Sequence, residues 1–119
     1  MTDAVVQKLM HANLLEVFGE PDAPTRLEVI RRTYTDDVVF ADPHGEARGH
    51  EALNAKAQEV RDGAGPDFVF APDGEVRQVQ DLGYLAWTFG PGGAPVVRGV
   101  DIGIVRDGLL AKVYTVLVD

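Results

Sequence analysis

Apolar residues recur at helical spacing over the first third of the chain. Val6, Met10, Asn13 and Val17 fall on one stripe, which predicts a helix over 3–18, with Thr2 or Asp3 able to cap its start. Gly19-Glu20-Pro21-Asp22 breaks it. A second helix is predicted from about Pro24 to Tyr34, with Leu27, Ile30, Arg31 and Tyr34 on one face and Pro24 in the first turn. Val38-Val39-Phe40-Ala41 is a short β-branched and aromatic run that Pro43 ends. A third helix is predicted over 49–61, packed through Leu53, Ala57 and Val60, and Gly63-Ala64-Gly65-Pro66 stops it.

From Asp67 onward the period changes. Phe68 to Phe70, Val76 to Val79, Tyr84 to Phe89, Val96 to Val105 and Leu109 to Val118 all read as strands. Pro72-Asp73-Gly74, Asp81-Leu82-Gly83, Gly90-Pro91-Gly92-Gly93 and Arg106-Asp107-Gly108 separate them as turns. Helices first and a meandering sheet last is an α+β pattern. In the 96–105 strand, one face carries Val96, Arg98, Val100, Ile102 and Ile104, the other Val97, Gly99, Asp101, Gly103 and Val105. Neither face is polar throughout. Three short helices cover one side of such a sheet, and a second copy of the chain is the expected cover for the other, so a homodimer is expected.

Length and composition narrow the picture. A chain of 119 residues with 45% hydrophobic and 25% charged residues is expected to form one domain spanning 1–119. It contains no apolar run long enough to cross a bilayer, and its first residues lack the pattern of a signal peptide. It has no cysteine, which excludes disulfides and thiolate ligands and fits a cytoplasmic location. The net charge of -8 repels phosphate backbones and anionic lipid, so neither nucleic acid nor membrane is an expected partner.

Asp101 is the most informative residue. It interrupts a strongly β-forming run, with Gly99 and Gly103 on its own face. Such an acid reads as the polar handle of a pocket, with room left beside it by the glycines, or as an Asp at a bulge or edge bonded to nearby backbone N–H groups. Asp42 precedes Pro43 and reads as a turn residue or as a second pocket acid. His44 beside it is a proton carrier or a solvated loop residue, and Asn13 on the apolar stripe is a satisfied core amide or a pocket donor. Tyr34 and Trp87 wall a pocket or fill a core. His11 and His50 read as surface residues. The three histidines have no paired spacing, so no metal is expected. The glycines at 90–93 lie between strands and form a hairpin loop, not a phosphate cradle.

The stretch from Asp36 to Pro43, then Gly49-His50-Glu51-Ala52-Leu53, Gly99-Val100-Asp101-Ile102 and Arg106-Asp107-Gly108-Leu109-Leu110, in that order, resembles the nuclear-transport-factor-two-like superfamily. It is most similar to the SnoaL-like polyketide-cyclase branch and more distantly to ketosteroid isomerase. The resemblance implies a cone-shaped curved mixed or antiparallel sheet wrapped around the N-terminal helices and enclosing a pocket. It implies a small apolar ligand, no cofactor, and acid/base chemistry of the isomerase, cyclase or hydratase kind, or a non-catalytic binding or dimerisation module. It matches Asp42 to the isomerase's base, Asp101 to its protonated oxyanion donor and to the cyclases' acid/base Asp, and Tyr34 to the aromatic ending the second helix. The isomerase's tyrosine on the first helix is replaced here by Asn13 or Leu14. Asp42 and Asp101 are thus the candidate catalytic residues, and Asn13, Tyr34, His44, Trp87 and Thr115 the candidate ligand-binding residues. Asp101, on the deeper strand, is expected to stay protonated while Asp42 acts as the base.

Overall fold

The computed structural model describes residues 2–118. Three helical regions pack on one face of an open seven-stranded mixed sheet, the α+β class expected. Helix α1 (Ala4–His11) is capped by Asp3, whose carboxylate accepts the Val5 N–H at 2.7 Å. It does not run on as an α-helix to Phe18. Ala12–Phe18 is wound as a π-helical segment, and the stripe Val6, Met10, Asn13 and Val17 is buried throughout. Such segments often mark functional positions, and this one carries Asn13.

Helix α2 (Ala23–Thr33) starts at Asp22, which caps it through the Thr25 N–H. Its buried face is Arg26, Val29, Ile30 and Thr33, one position off the face expected, and Arg31 is exposed. Arg26 accounts for the shift. It is fully buried, and its guanidinium donates to the Glu20 carbonyl, the Asn54 carbonyl and the Gln58 side chain. A charged side chain in the core defeats an apolar periodicity argument. Helix α3 (His50–Asp62) packs through Leu53 and Ala57, both fully buried.

The strands are β1 (Tyr34–Asp42), β2 (Gly45–Arg48), β3 (Phe68–Pro72), β4 (Arg77–Val79), β5 (Leu82–Pro91), β6 (Val97–Arg106) and β7 (Leu109–Leu117). They pair in the order β2-β1-β7-β6-β5-β3, with β4 also on β5. Among the described residues only the β1–β7 pair is parallel. Tyr34 opens β1 rather than ending a helix, because β1 is longer than its apolar run. The polar stretch Thr35-Asp36-Asp37 sits where the β1–β7 register shifts. Strand β2 has no apolar alternation and pairs only with β1, so no pattern announced it. His50 is not the exposed residue expected. Its side chain is 15% exposed, and Nε2 lies 3.1 Å and 3.0 Å from the Tyr34 and Thr35 carbonyl oxygens, tying α3 to the start of β1.

The inner face of β5 and β6 carries the core. Leu85, Trp87 and Phe89 stand beside Gly99 and Asp101, and Met10 packs over Gly83 and Gly103. No helix of the described residues is long and apolar enough to cross a membrane.

Candidate functional site

Asp101 projects from the middle of β6 into the space between sheet and helices, and only 4% of it is exposed. Its two glycine neighbours do not leave open room beside it, as the sequence suggested. A Cβ on Gly99 would fall 2.3 Å from the Trp87 ring, and one on Gly103 within 2.8 Å of Met10 and Leu110. The glycines are there so that large side chains can lie flat on the sheet. Trp87 is the cross-strand partner of Gly99, and by lying over it the indole brings Nε1 to 3.0 Å from Asp101 Oδ1.

Two more donors converge. Thr115, opposite Asp101 on β7, donates its hydroxyl to Oδ1 at 2.7 Å. Asn13 donates Nδ2 to Oδ2 at 2.9 Å from the π-helical segment. The direction of that amide is fixed from behind, where the buried Tyr34 hydroxyl donates to Asn13 Oδ1 at 2.5 Å. Burial, and then the charge of Asp101, push the Tyr34 hydroxyl well above its ordinary range, so it remains a donor. Trp87 Nε1 is a donor only. Among the described residues, three donors and no cation therefore meet at one carboxyl group. Burial pushes Asp101 up to about 6, and the hydrogen bonds from Thr115, Trp87 and Asn13 oppose that rise. Burial outweighs the donors, so the carboxyl is held above the usual carboxylate range while all three hydrogen bonds use it as an acceptor.

Asp101 borders a cavity of about 160 Å³. Its walls include Leu14, Phe18, Phe40, Phe70, Trp87 and Phe89. Phe70 and Phe89 stack with centroids 4.0 Å apart, and Phe70 meets Trp87 edge-on at 5.4 Å. Thr115, Asp42, Pro43 and His44 also border it. Asp42 thus shares the cavity with Asp101, but its oxygens are engaged. Oδ1 accepts the His44 N–H at 2.9 Å, an Asx turn, and Oδ2 lies 2.8 Å from Lys56 Nζ. That ion pair is largely buried, with side chains 10% and 15% exposed. Asn13 and Tyr34 are not among the lining residues and stand behind Asp101.

Sequence reasoning missed Lys56 and the phenylalanine walls. Lys56 lies three residues after Leu53 on the packed stripe of α3, the same kind of signal that singled out Asn13. Phe70 on β3 and Phe89 on β5, which stand opposite each other, could have been found from the pairing of those strands, which a single strand's alternation does not reveal.

Residues 13–113 match the model of the SnoaL-like domain. The chain belongs to the SnoaL-like family. Its fold is that of the nuclear-transport-factor-two-like proteins, as the sequence motifs implied. A SnoaL-like family protein from Agrobacterium tumefaciens, proposed to be an isomerase, superposes with a TM-score of 0.89 at 18% identity, over 98% of this chain and 100% of that one. A proposed ketosteroid isomerase from Kribbella flavida gives 0.74 at 15% identity, over 97% and 78% of the two chains. A proposed SnoaL-like polyketide cyclase from Jannaschia sp. CCS1 gives 0.73 at 16%, over 98% and 90%. At these identities the likeness is one of fold alone. The chain has no significant sequence match among the curated proteins.

Proposed function

We propose that this SnoaL-like chain is a cofactor-free acid/base enzyme in which Asp101 carries a proton to and from carbon beside the carbonyl of a small apolar compound, in an isomerase, cyclase or hydratase reaction. The observation that carries this reading is the environment of Asp101: a buried carboxylate with three neutral donors, no cationic partner, and an aromatic cavity in front of it. Such a group is mostly ionised at neutral pH and able to take and return a proton there. Dry apolar walls strengthen its basicity toward a bound substrate. The neighbours described as isomerase and cyclase agree with this chemistry but do not specify it.

The test starts from a thermal-shift screen of small ketones, since a ligand of the folded state raises its stability. With a substrate in hand, Asp101→Asn is expected to lower turnover by ~10²–10⁴, the usual contribution of a general base. Unchanged turnover in that variant refutes the role.

A second reading, a binding module without chemistry, is favoured by one observation. Asp42 is committed to Lys56 and its own turn, so the cavity offers one available acid rather than two. Hydrogen exchange at the carbon next to the ligand carbonyl separates the readings, because only a working base catalyses it. We also propose that the chain pairs with a second copy through the outer face of its sheet, where Tyr84, Tyr114 and Val116 are exposed.

A further inference from the structure

The polar and apolar groups of the cavity restrict what fits in it, given Asp101 as the base. A cavity of about 160 Å³ is close to the engineered ~150 Å³ protein cavity known to bind benzene, and below the ~300–1,000 Å³ usual for drug-sized ligands. A fused four-ring skeleton has several times the volume of one benzene ring. The phenylalanines that set this limit are packed against one another, Phe18 on Phe40 at 5.0 Å and Phe70 on Phe89 at 4.0 Å, so one ring cannot withdraw without disturbing the next.

Hydrogen-bonding capacity restricts orientation. An ionised carboxylate has about four acceptor positions. At Asp101, Trp87 and Thr115 take two on Oδ1 and Asn13 one on Oδ2, which leaves one on Oδ2. The side-chain donors bordering the cavity are Trp87, Thr115 and His44, and the first two are spent on Asp101. The deep end therefore accepts a hydrogen and has no side-chain donor to spare for a carbonyl oxygen. The uncommitted donor, the His44 ring, belongs to the exposed turn after β1.

We propose that the cavity takes an enolisable carbonyl compound of one ring, or an open chain of equal bulk, bound with its acidic carbon toward Asp101 and its carbonyl oxygen toward His44 at the mouth. In the step this permits, the C–H bond next to the carbonyl breaks and its proton passes to Asp101 Oδ2. The electron pair moves to the carbonyl oxygen, giving an enolate that His44 hydrogen-bonds, and Asp101 returns a proton to carbon. The assignment rests on the base reading of Asp101, but its size limit does not.

The test uses the full chain in deuterium oxide with two probes, cyclohexanone and a four-ring 3-keto steroid. Trp87 is the one tryptophan of the sequence and borders the cavity, so its emission reports occupancy. Proton NMR follows loss of the hydrogens beside the carbonyl. Cyclohexanone is expected to change Trp87 emission saturably and to exchange faster than in buffer, while the steroid does neither. Exchange should fall ~10²-fold or more in Asp101→Asn, and His44→Ala should weaken binding about 10-fold, the loss of one good hydrogen bond. Val97→Phe leaves Asp101 in place and fills the cavity, so it should abolish the emission change even if Asp101→Asn fails to fold. Cyclohexanone binding without exchange supports the size limit and overturns the base reading. Steroid exchange that depends on Asp101 overturns the size limit and supports the base. Silence of Trp87 toward both probes at millimolar concentration overturns the size limit as well.

Discussion

Asn13 faces Asp101 with its nitrogen, 2.9 Å from Oδ2, because Tyr34 holds the other end of the amide. A two-sided group has been made one-sided by a buried hydroxyl. This has a consequence for Asp101→Asn. The new amide would turn an N–H₂ toward an N–H₂ at Asn13, or toward the indole N–H of Trp87, and a buried donor without an acceptor costs ~1–3 kcal/mol. Tyr34→Phe releases Asn13 to rotate and present its oxygen. Thermal or urea unfolding of the four proteins in this cycle should show Tyr34→Phe costing about 1 kcal/mol in the natural background and less, or nothing, beside Asp101→Asn. A coupling below ~0.5 kcal/mol would mean the amide is not held in this way.

The buried carboxylate should also be visible in the pH dependence of stability. Folding raises Asp101 from 3.8 to about 6, chiefly through burial. A raised carboxyl means that the folded state binds the proton more tightly. Between about pH 4 and 6 the folded chain holds more protons than the unfolded one, so this group's contribution to stability falls as pH rises through that window and is level above it. A shift of this size corresponds to roughly 3 kcal/mol. Subtracting the unfolding curve of Asp101→Asn cancels the other carboxylates. The difference should fall with pH and then flatten near 6. A flat difference from pH 4 to 7 would contradict the burial argument, as would a Trp87 emission titration with no transition near 6.

Much of the fold was legible because its strands and helices carry their periods openly. The stripe Val6, Met10, Asn13, Val17 and the β6 and β7 runs sit where the pattern put them, while β5 runs beyond the predicted 84–89 to take in Leu82-Gly83 and Gly90-Pro91, which read as turns. What was not legible has physical causes. Arg26 is a buried cation satisfied by carbonyl and amide oxygens, so no sign of its burial appears in the sequence. Strand β2 is a polar edge hairpin. Asp101 stood out by its context, but the meaning of its glycines did not. Open space and a site for a neighbouring ring leave the same gap in a sequence, and only the pairing of Gly99 with Trp87 separates them.

Asp42 is expected to be structural rather than the base. Its carboxylate closes the turn at His44 and pairs with Lys56, which anchors the end of β1 to α3. Asp42→Asn keeps the turn acceptor and removes the charge, leaving the largely buried Lys56 ammonium unpaired. Breaking one side of such a pair is costly, ~3–5 kcal/mol where burial is complete and less here. The variant should lose stability, and Lys56→Met in the same chain should restore part of it. Any substrate turnover should fall less than ~10-fold, too little for a general base. A loss of 10² or more with stability intact would return the catalytic role to Asp42.

The outer face of the sheet gives the last expectation. Ile102 lies at its centre, paired with Tyr84 on β5 and with Tyr114 on β7, and both tyrosines are 39% exposed. Val116, on the same side and paired with Val100, is 49% exposed. The face therefore presents aromatic and β-branched side chains to solvent across three adjacent strands, a pattern typical of an interaction surface. Ile102→Glu leaves the inner face, with Asp101 and the cavity, on the opposite side of the pleat. In a monomer the new carboxylate would be hydrated and cost little. Between two copies it would be desolvated beside its symmetry mate, where an unpaired charge is strongly disfavoured. Sedimentation velocity should show a dimer for the natural chain and a monomer for Ile102→Glu, with circular dichroism unchanged. If the natural chain already sediments as a monomer, or the variant stays dimeric, two copies do not meet through this face.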